Sequence, residues 1–434
     1  MIFTNTTRKQ RVSHLGMAVA LACGMAVTAT ALETPAHAQR KKAKKEEAKG
    51  AYSEAFVKAY QPVAPLANAN PRDGAAMRAA VPTIAAAAST PDDKLAGGQF
   101  IYAAGSAAND PALQMQGLSM MLSSGKVPAG NLGQYNFIAG QLAYQAKDYA
   151  KAREYLQAAA QAGYTQNDPH LLLADTYFQQ NDTAGGLAYL SQIIDRQVAA
   201  GQKPSSEYVR RGLAAAYKAQ NKEQSLRFAN LFARHHPSAD SWGDAIVVTR
   251  SSTQLSDDEM LDLLRLQRKT KTFRDEREYL SYVEMADPRK LPVEVIQVIN
   301  EGYASNKLTR NNTYASESLK EAKAREAAAK ADMASLERDA NAAGARLATV
   351  MAAGNVFLSS GQPAKAEQFF RKALTMPGAD TVTVSNRLGI AQLEQGKYAD
   401  AVATFNKVQG NRAAVSQLWA AYAQQRQSGG ASGA

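Results

Sequence analysis

The 434-residue chain contains one cysteine, Cys23, which excludes an internal disulfide, a thiolate zinc site and a CxxC redox pair by counting alone. Aromatic residues make up only 7% of it. Acids are also short, at 39 Asp and Glu against 50 Lys and Arg, which leaves a formal net charge of +11. These cations are not drawn into a stripe interleaved with aromatics, so nucleic acid is not an expected partner. After residue 38 no stretch reaches the roughly 18 apolar residues of a membrane span. Histidine is scarce as well: beyond that point only His170, His235 and His236 occur, without H-E-x-x-H spacing. The adjacent pair reads as the end of a helix, facing its last carbonyls. There is no G-x-S-x-G, no P-loop and no G-x-G-x-x-G followed by a strand. Asp257-Asp258-Glu259 after Ser256 reads as an acid-rich helix start, and as a calcium loop it lacks spacing and glycine. Catalytic residues, metals and cofactors are therefore not expected, and neither is an enzyme.

What the chain does have begins with targeting. Arg8, Lys9 and Arg11 precede a largely apolar stretch from Leu15 to Leu32, and Ala36-His37-Ala38 follows. This is the pattern of a secretory signal peptide over 1–38, so the mature chain is expected to begin at Gln39 in the periplasm or outside the cell. An uncleaved anchor fits less well, because Gly16 and Gly24 weaken the apolar stretch. Lipidation at Cys23 fits less well too, with Ala20 and Leu21 poor residues before it. Residues 39–50 carry Arg40, Lys41, Lys42, Lys44, Lys45 and Lys49, and read either as a solvated basic linker or as a tract lying on anionic lipid.

From residue 51 onward the pattern is helical. Thr90-Pro91-Asp92-Asp93 and Asn109-Asp110-Pro111 are helix starts, a capping side chain ahead of a proline in the first turn, and residues 51–132 read as helical hairpins. A period near 34 residues then organises 133–310 and 347–424. Its clearest copy opens at Val382 and carries Leu388-Gly389, Gly396, Tyr398, Ala401 and Phe405. Another opens at Leu347 with Ala353-Gly354, Phe357, Ala366 and Phe370. Copies at Gly133 and Asn167 carry Ala139-Gly140, Tyr149 and Leu156, then Leu173-Ala174, Tyr177, Gly186 and Leu190. A looser one starts near Glu207, and degenerate ones follow near Ala239 and Glu276. The small residues sit where paired helices cross closely, and the large ones fill the space around that crossing. Between the two arrays, 311–346 keeps the spacing without the motif. Glu317 to Ala340 there is rich in Ala and charge, with Glu321/Arg325 and Glu326/Lys330 pairs, and reads as one long helix. Its stripe through Leu319, Ala322, Met333 and Leu336 suits either a coiled coil or a single packed helix. Near Ser416, with Trp419, one more helix fits as an end cap before a polar, Gly-rich tail over 425–434, expected to be disordered.

These residues resemble the tetratricopeptide repeat (TPR) family, and the whole chain resembles its exported alphaproteobacterial members. The resemblance implies an all-α fold, a right-handed solenoid of helix pairs whose first helices form a concave face that binds peptide or protein segments. Carried onto this sequence, the face positions are Phe137, Gln141, Tyr144, Asp175, Phe178, Gln179, Arg211, Lys218, Asn355 and Asn386. They lack the Lys and Asn pattern of a carboxylate clamp. Rings beside amides suit extended backbone with apolar side chains, so a non-catalytic scaffold of the cell envelope, holding other envelope proteins or peptides, is the expected function. The alternative is a module for carbohydrate or cell-wall polymer, with Tyr144 and Phe178 stacking on sugars.

Overall fold

The computed structural model describes residues 52–430, so the expected signal peptide, the basic segment before residue 51 and the last four residues lie outside what can be described. Among the described residues every regular element is helical and no strand occurs. The fold is all-α and of the helical-repeat solenoid kind. It divides into two compact units between Asn167 and Asp168.

The first unit holds α1 (Glu54–Tyr60), α2 (Ala64–Asn68), α3 (Gly74–Ala87), α4 (Pro91–Ala107), α5 (Pro111–Ser123), α6 (Ala129–Gln145) and α7 (Tyr149–Gln161). Both expected helix starts are present. Thr90 and Asp93 form a reciprocal capping box at the head of α4, and Asp110 caps α5 through the amides of Ala112 and Leu113. Asp93 is fully buried and also accepts from the Ser53 amide and hydroxyl at 3.0 and 2.8 Å, which ties α1 to α4. Burial alone would raise its pKa, but the hydrogen bonds from Thr90 and Ser53 hold it down at about 2. Helices α4 and α5 meet at backbone distance, since a Cβ on Gly98 would lie 2.7 Å from the Gly117 carbonyl oxygen. Phe56, Met77, Ile84, Phe100 and Ile101 fill the core beside them, and Leu118, Met121, Tyr135 and Leu142 fill the next.

In the second unit the chain runs through α8 (Pro169–Gln179), α9 (Thr183–Ala199), α10 (Ser206–Lys218), α11 (Lys222–His235), α12 (Ala239–Ser252) and α13 (Asp257–Lys269). It continues with α14 (Glu276–Ala286), α15 (Pro292–Ala304), α16 (Thr313–Asn341), α17 (Leu347–Ser359) and α18 (Pro363–Leu374). It ends with α19 (Thr381–Glu394), α20 (Tyr398–Phe405) and α21 (Ala413–Gly430). A recurrent crossing explains the repeat spacing: the Phe405 ring of α20 lies on Gly389 of α19, where a Cβ would come within 2.5 Å of Cε1, and Phe370 lies on Gly354 in the same way. Phe228 meets Gly212 at the same spacing. In the α8–α9 pair the partners are exchanged, with the ring, Phe178, on the first helix and the glycine, Gly186, on the second.

Two expectations change here. The final helix does more than pack on the last repeat helix, α20. It also returns to α11, α12 and α13, Trp419 donating to the Asp262 carbonyl at 3.0 Å and Gln425 to that of Ala233 at 2.5 Å. It also runs through Gln425 as far as Gly430, so most of the supposed tail is helix. With α19 also on α13, the helices from α13 to α19 close into a ring. The second change concerns the histidines. His235 does end α11, but His236 Nε2 donates to the carbonyl of Pro204, 2.8 Å away in the loop before α10, rather than to the helix's own last turn.

The long helix α16 is a strut. Ala315, Leu319 and Ala322 pack into the core of α14 and α15, while Met333, Leu336 and Ala340 pack into that of α17 and α18. The stretch between, 323–332, is mostly exposed. The helix carries the Glu321/Arg325 and Glu326/Lys330 pairs on its surface.

Candidate functional site

The helix α13 governs the chemistry of the second unit. Leucines at 261, 263, 264 and 266 point to all its sides, so no polar face remains and residues 261–267 are buried without a break. Leu263 and Leu266 join one core, Leu261 and Leu264 another. The charged side chains of the same helix are consequently buried and must find partners.

Arg265 grips Glu294 of α15 with two parallel bonds of 2.8 Å from Nε and Nη2, and its Nη1 reaches Asp262 at 3.1 Å. Tyr282 adds a donor to Glu294 at 2.5 Å. Burial would lift the Glu294 carboxyl, but the Arg265 guanidinium holds it below the usual range. The Tyr282 hydroxyl is pushed well up by burial and by the Glu294 charge. On the other side of α13, Asp262 accepts from Asn386 Nδ2 at 2.8 Å, and Asn386 in turn accepts from Ser416 at 2.7 Å. Arg387 donates to Asp258 at 2.7 Å and to Asn355 at 3.0 Å, and Arg412 pairs with Glu259 at 3.1 Å. The acid-rich start of α13 is thus a capped helix N-terminus, with Ser256 and Glu259 in a capping box, whose acids also fasten the C-terminal helices.

A cleft of about 820 Å³ opens inside the ring beside this network. One wall comes from α13 to α15 and the loops after α13 and α15: Arg268, Lys269, Lys271, Gln297, Glu301 and Lys307. The opposite wall is Leu358, Ser359, Pro363, Ile390 and, paired with Lys269, Glu394. Arg268 holds Glu301, with its Nε at 2.8 Å, and Lys269 reaches Glu394 across the ring at 2.8 Å.

The ten face positions read from the repeat register fall out unevenly. In the first unit Phe137 is 3% exposed, with its ring centroid 5.1 Å from that of Tyr164. Gln141 is half-buried, and Tyr144 packs edge-on against Tyr149. In the second unit Asp175, Phe178 and Arg211 do come together: Arg211 pairs with Asp175 and sits 5.5 Å over the Phe178 ring. Burial raises the Asp175 carboxyl more than Arg211 lowers it. A shallow groove of about 350 Å³ lies there, with Leu171 and Glu207 on its sides. Gln179 and Lys218 are exposed at their helix ends. Asn386, at 2% exposure, is enclosed in the α13 network, and half-buried Asn355 gives its side-chain oxygen to Arg387 of the same network. The cleft cations Lys271 and Lys307 lie in loops outside the repeat register, where no helical position marks them.

Among the described residues no group of three or more His, Cys, Asp or Glu is placed to hold a metal, and no helix is long and apolar enough to cross a membrane.

Residues 351–417, from α17 into α21, match the family model described as tetratricopeptide repeat. The solved structures similar to the chain include Naa15/Naa10 bound to HypK-THB, at 13% identity and a TM-score of 0.34, covering 85% of this chain and 70% of that one. They also include the P58(IPK) TPR domain, at 13% identity and a TM-score of 0.21, covering 86% and 99%. The pentatricopeptide repeat protein PPR10 from maize is similar at 15% identity and a TM-score of 0.26, covering 88% and 58%. No curated protein matches the chain in sequence.

Proposed function

We propose that the chain is a non-catalytic scaffold that holds a segment of another protein in the cleft of its second unit. The observation that carries this reading is the ring itself. Helices from both ends of the α13–α19 run are fixed to each other by buried bonds, and they enclose about 820 Å³ between one charged and one largely apolar wall. A preformed concavity with a few placed polar groups is the usual form of a binding site, and its rigidity lowers the ordering cost of binding. The groove at Asp175, Phe178 and Arg211 is the lesser candidate, since its charges and ring are already engaged with one another. The signal-peptide pattern over residues 8–38 supports a place in the bacterial cell envelope, where the partner would be another envelope protein.

Site-specific photo-crosslinking tests the reading. A photoreactive residue replacing Ser359, on the cleft wall, is expected to give discrete protein adducts in cells, while one replacing Lys323 on the exposed part of α16 gives none. Adducts at Lys323 with none at Ser359 would move the interaction out of the ring.

A further inference from the structure

We infer that the cleft takes an acidic segment, its side-chain carboxylates held by Lys271 and Lys307; this rests on the scaffold reading above and names the chemistry of the partner. The wall cations are of two kinds. Arg265, Arg268 and Lys269 are each answered by a carboxylate, Glu294, Glu301 and Glu394. Lys271 and Lys307 are not. Among the described residues neither has a carboxylate within ion-pair distance, and the one bond of the Lys307 ammonium is to a neutral acceptor, the Phe273 carbonyl, at 2.6 Å. Two uncompensated and exposed positive charges therefore line the same cleft, where they add to one another's local potential. Across from them Leu358, Pro363 and Ile390 offer no charge, so the same segment can set apolar side chains on that wall while its acids face the lysines. Gln297 gives its carbonyl to Arg268 and keeps its NH2 group as a donor for passing backbone.

Nucleic acid would satisfy the same charges, but the cleft lacks what bases need. Phe273 and Tyr279 are 4% and 6% exposed and pack on each other with centroids 4.6 Å apart, which leaves no ring face for stacking. The geometry favours a protein segment.

The test uses the full chain without its signal segment and fluorescence anisotropy with three probes. These are a short labelled peptide of Glu, Leu and Ser, its Gln-for-Glu counterpart, and a single-stranded oligothymidylate. The acidic peptide is expected to bind about tenfold or more tighter than the Gln peptide, with the gap closing as salt rises. Lys271→Gln, at an exposed side chain, should narrow the gap, and Lys271→Gln with Lys307→Gln should abolish it. Lys323→Gln on α16 should leave it intact, and circular dichroism checks that each variant is folded. Equal binding of the two peptides, or insensitivity to Lys271→Gln, overturns the charge assignment; the scaffold reading then stands or falls on the Ser359 adducts alone. Preference for the oligothymidylate overturns the choice of a protein partner.

Discussion

Helices α17 to α19, with α20 packed on the last of them, and helices α13 to α15 belong to one ring, yet opposite means hold them. In the first region the fit is one of shape, a phenylalanine ring laid on a glycine within each pair, so that each pair depends mainly on its neighbour. In the second, buried charges join α13 to side chains 29 and 124 positions further along the chain. The difference teaches where coupling resides. Damage to a glycine crossing should stay regional, whereas damage to the α13 network should loosen the ring at both sides.

The largest effect is expected from Arg265→Met, which leaves Glu294 buried without its guanidinium and Asp262 with Arg387 alone, at 3.8 Å. Breaking such a group costs about 3 to 5 kcal/mol, read from urea unfolding. Next comes Gly389→Leu, which drives a side chain into Phe405 and should cost about 1 to 3 kcal/mol, the value for overpacking. If hydrogen exchange showed Gly389→Leu loosening α13 as strongly as Arg265→Met does, the contrast between the regions would fail. Asn386→Ala removes one of Asp262's donors and the acceptor of the buried Ser416 hydroxyl and should cost about 1 to 3 kcal/mol by the same unfolding assay.

A pH effect belongs to the shape-fitted region. Burial would raise the Glu367 carboxyl, but bonds from Lys397, Arg371 and Gln395 hold it down at about 2, against an ordinary 4.5. Because the folded value is the lower one, its stabilisation is complete above pH 4.5 and is lost as pH falls toward 2. Glu367→Gln should flatten that part of the stability profile, which acid titration by circular dichroism would show. The smallest effect is expected from Lys330→Gln on α16, whose partner Glu326 lies on the exposed strut: at most about 0.5 kcal/mol by the urea assay.

The two regions also differ in how far they could be read beforehand. Leu388-Gly389 and Phe405 carry their packing in their spacing, because the residues that touch belong to adjacent helices, and the capping signals at Thr90 and Asp110 are local for the same reason. Beyond the i,i+3 contact of Asp262 with Arg265 this network gave no such spacing, since Glu294 and Asn386 come from distant segments. The signal available was indirect: leucines on every side of α13 demand burial, and a buried helix with Asp262 and Arg265 in it demands counter-charges. The face positions show a related limit. Register fixes the angle of a side chain around its own helix but not what covers it, so Phe137 meets Tyr164, Phe178 lies on Gly186 and Asn386 is enclosed by α13 and α21.

Closure of the ring onto α13 is the claim on which the cleft depends, and zero-length carbodiimide crosslinking of the native protein tests it most directly. Lys269 Nζ lies 2.8 Å from the Glu394 carboxylate, a contact between residues 125 positions apart that an open array would not make. The expected result is an isopeptide-linked pair of peptides containing Lys269 and Glu394, found by mass spectrometry and lost in Glu394→Gln. Links from Lys269 to nearby acids alone, with none to Glu394, would contradict closure and remove the cleft with it.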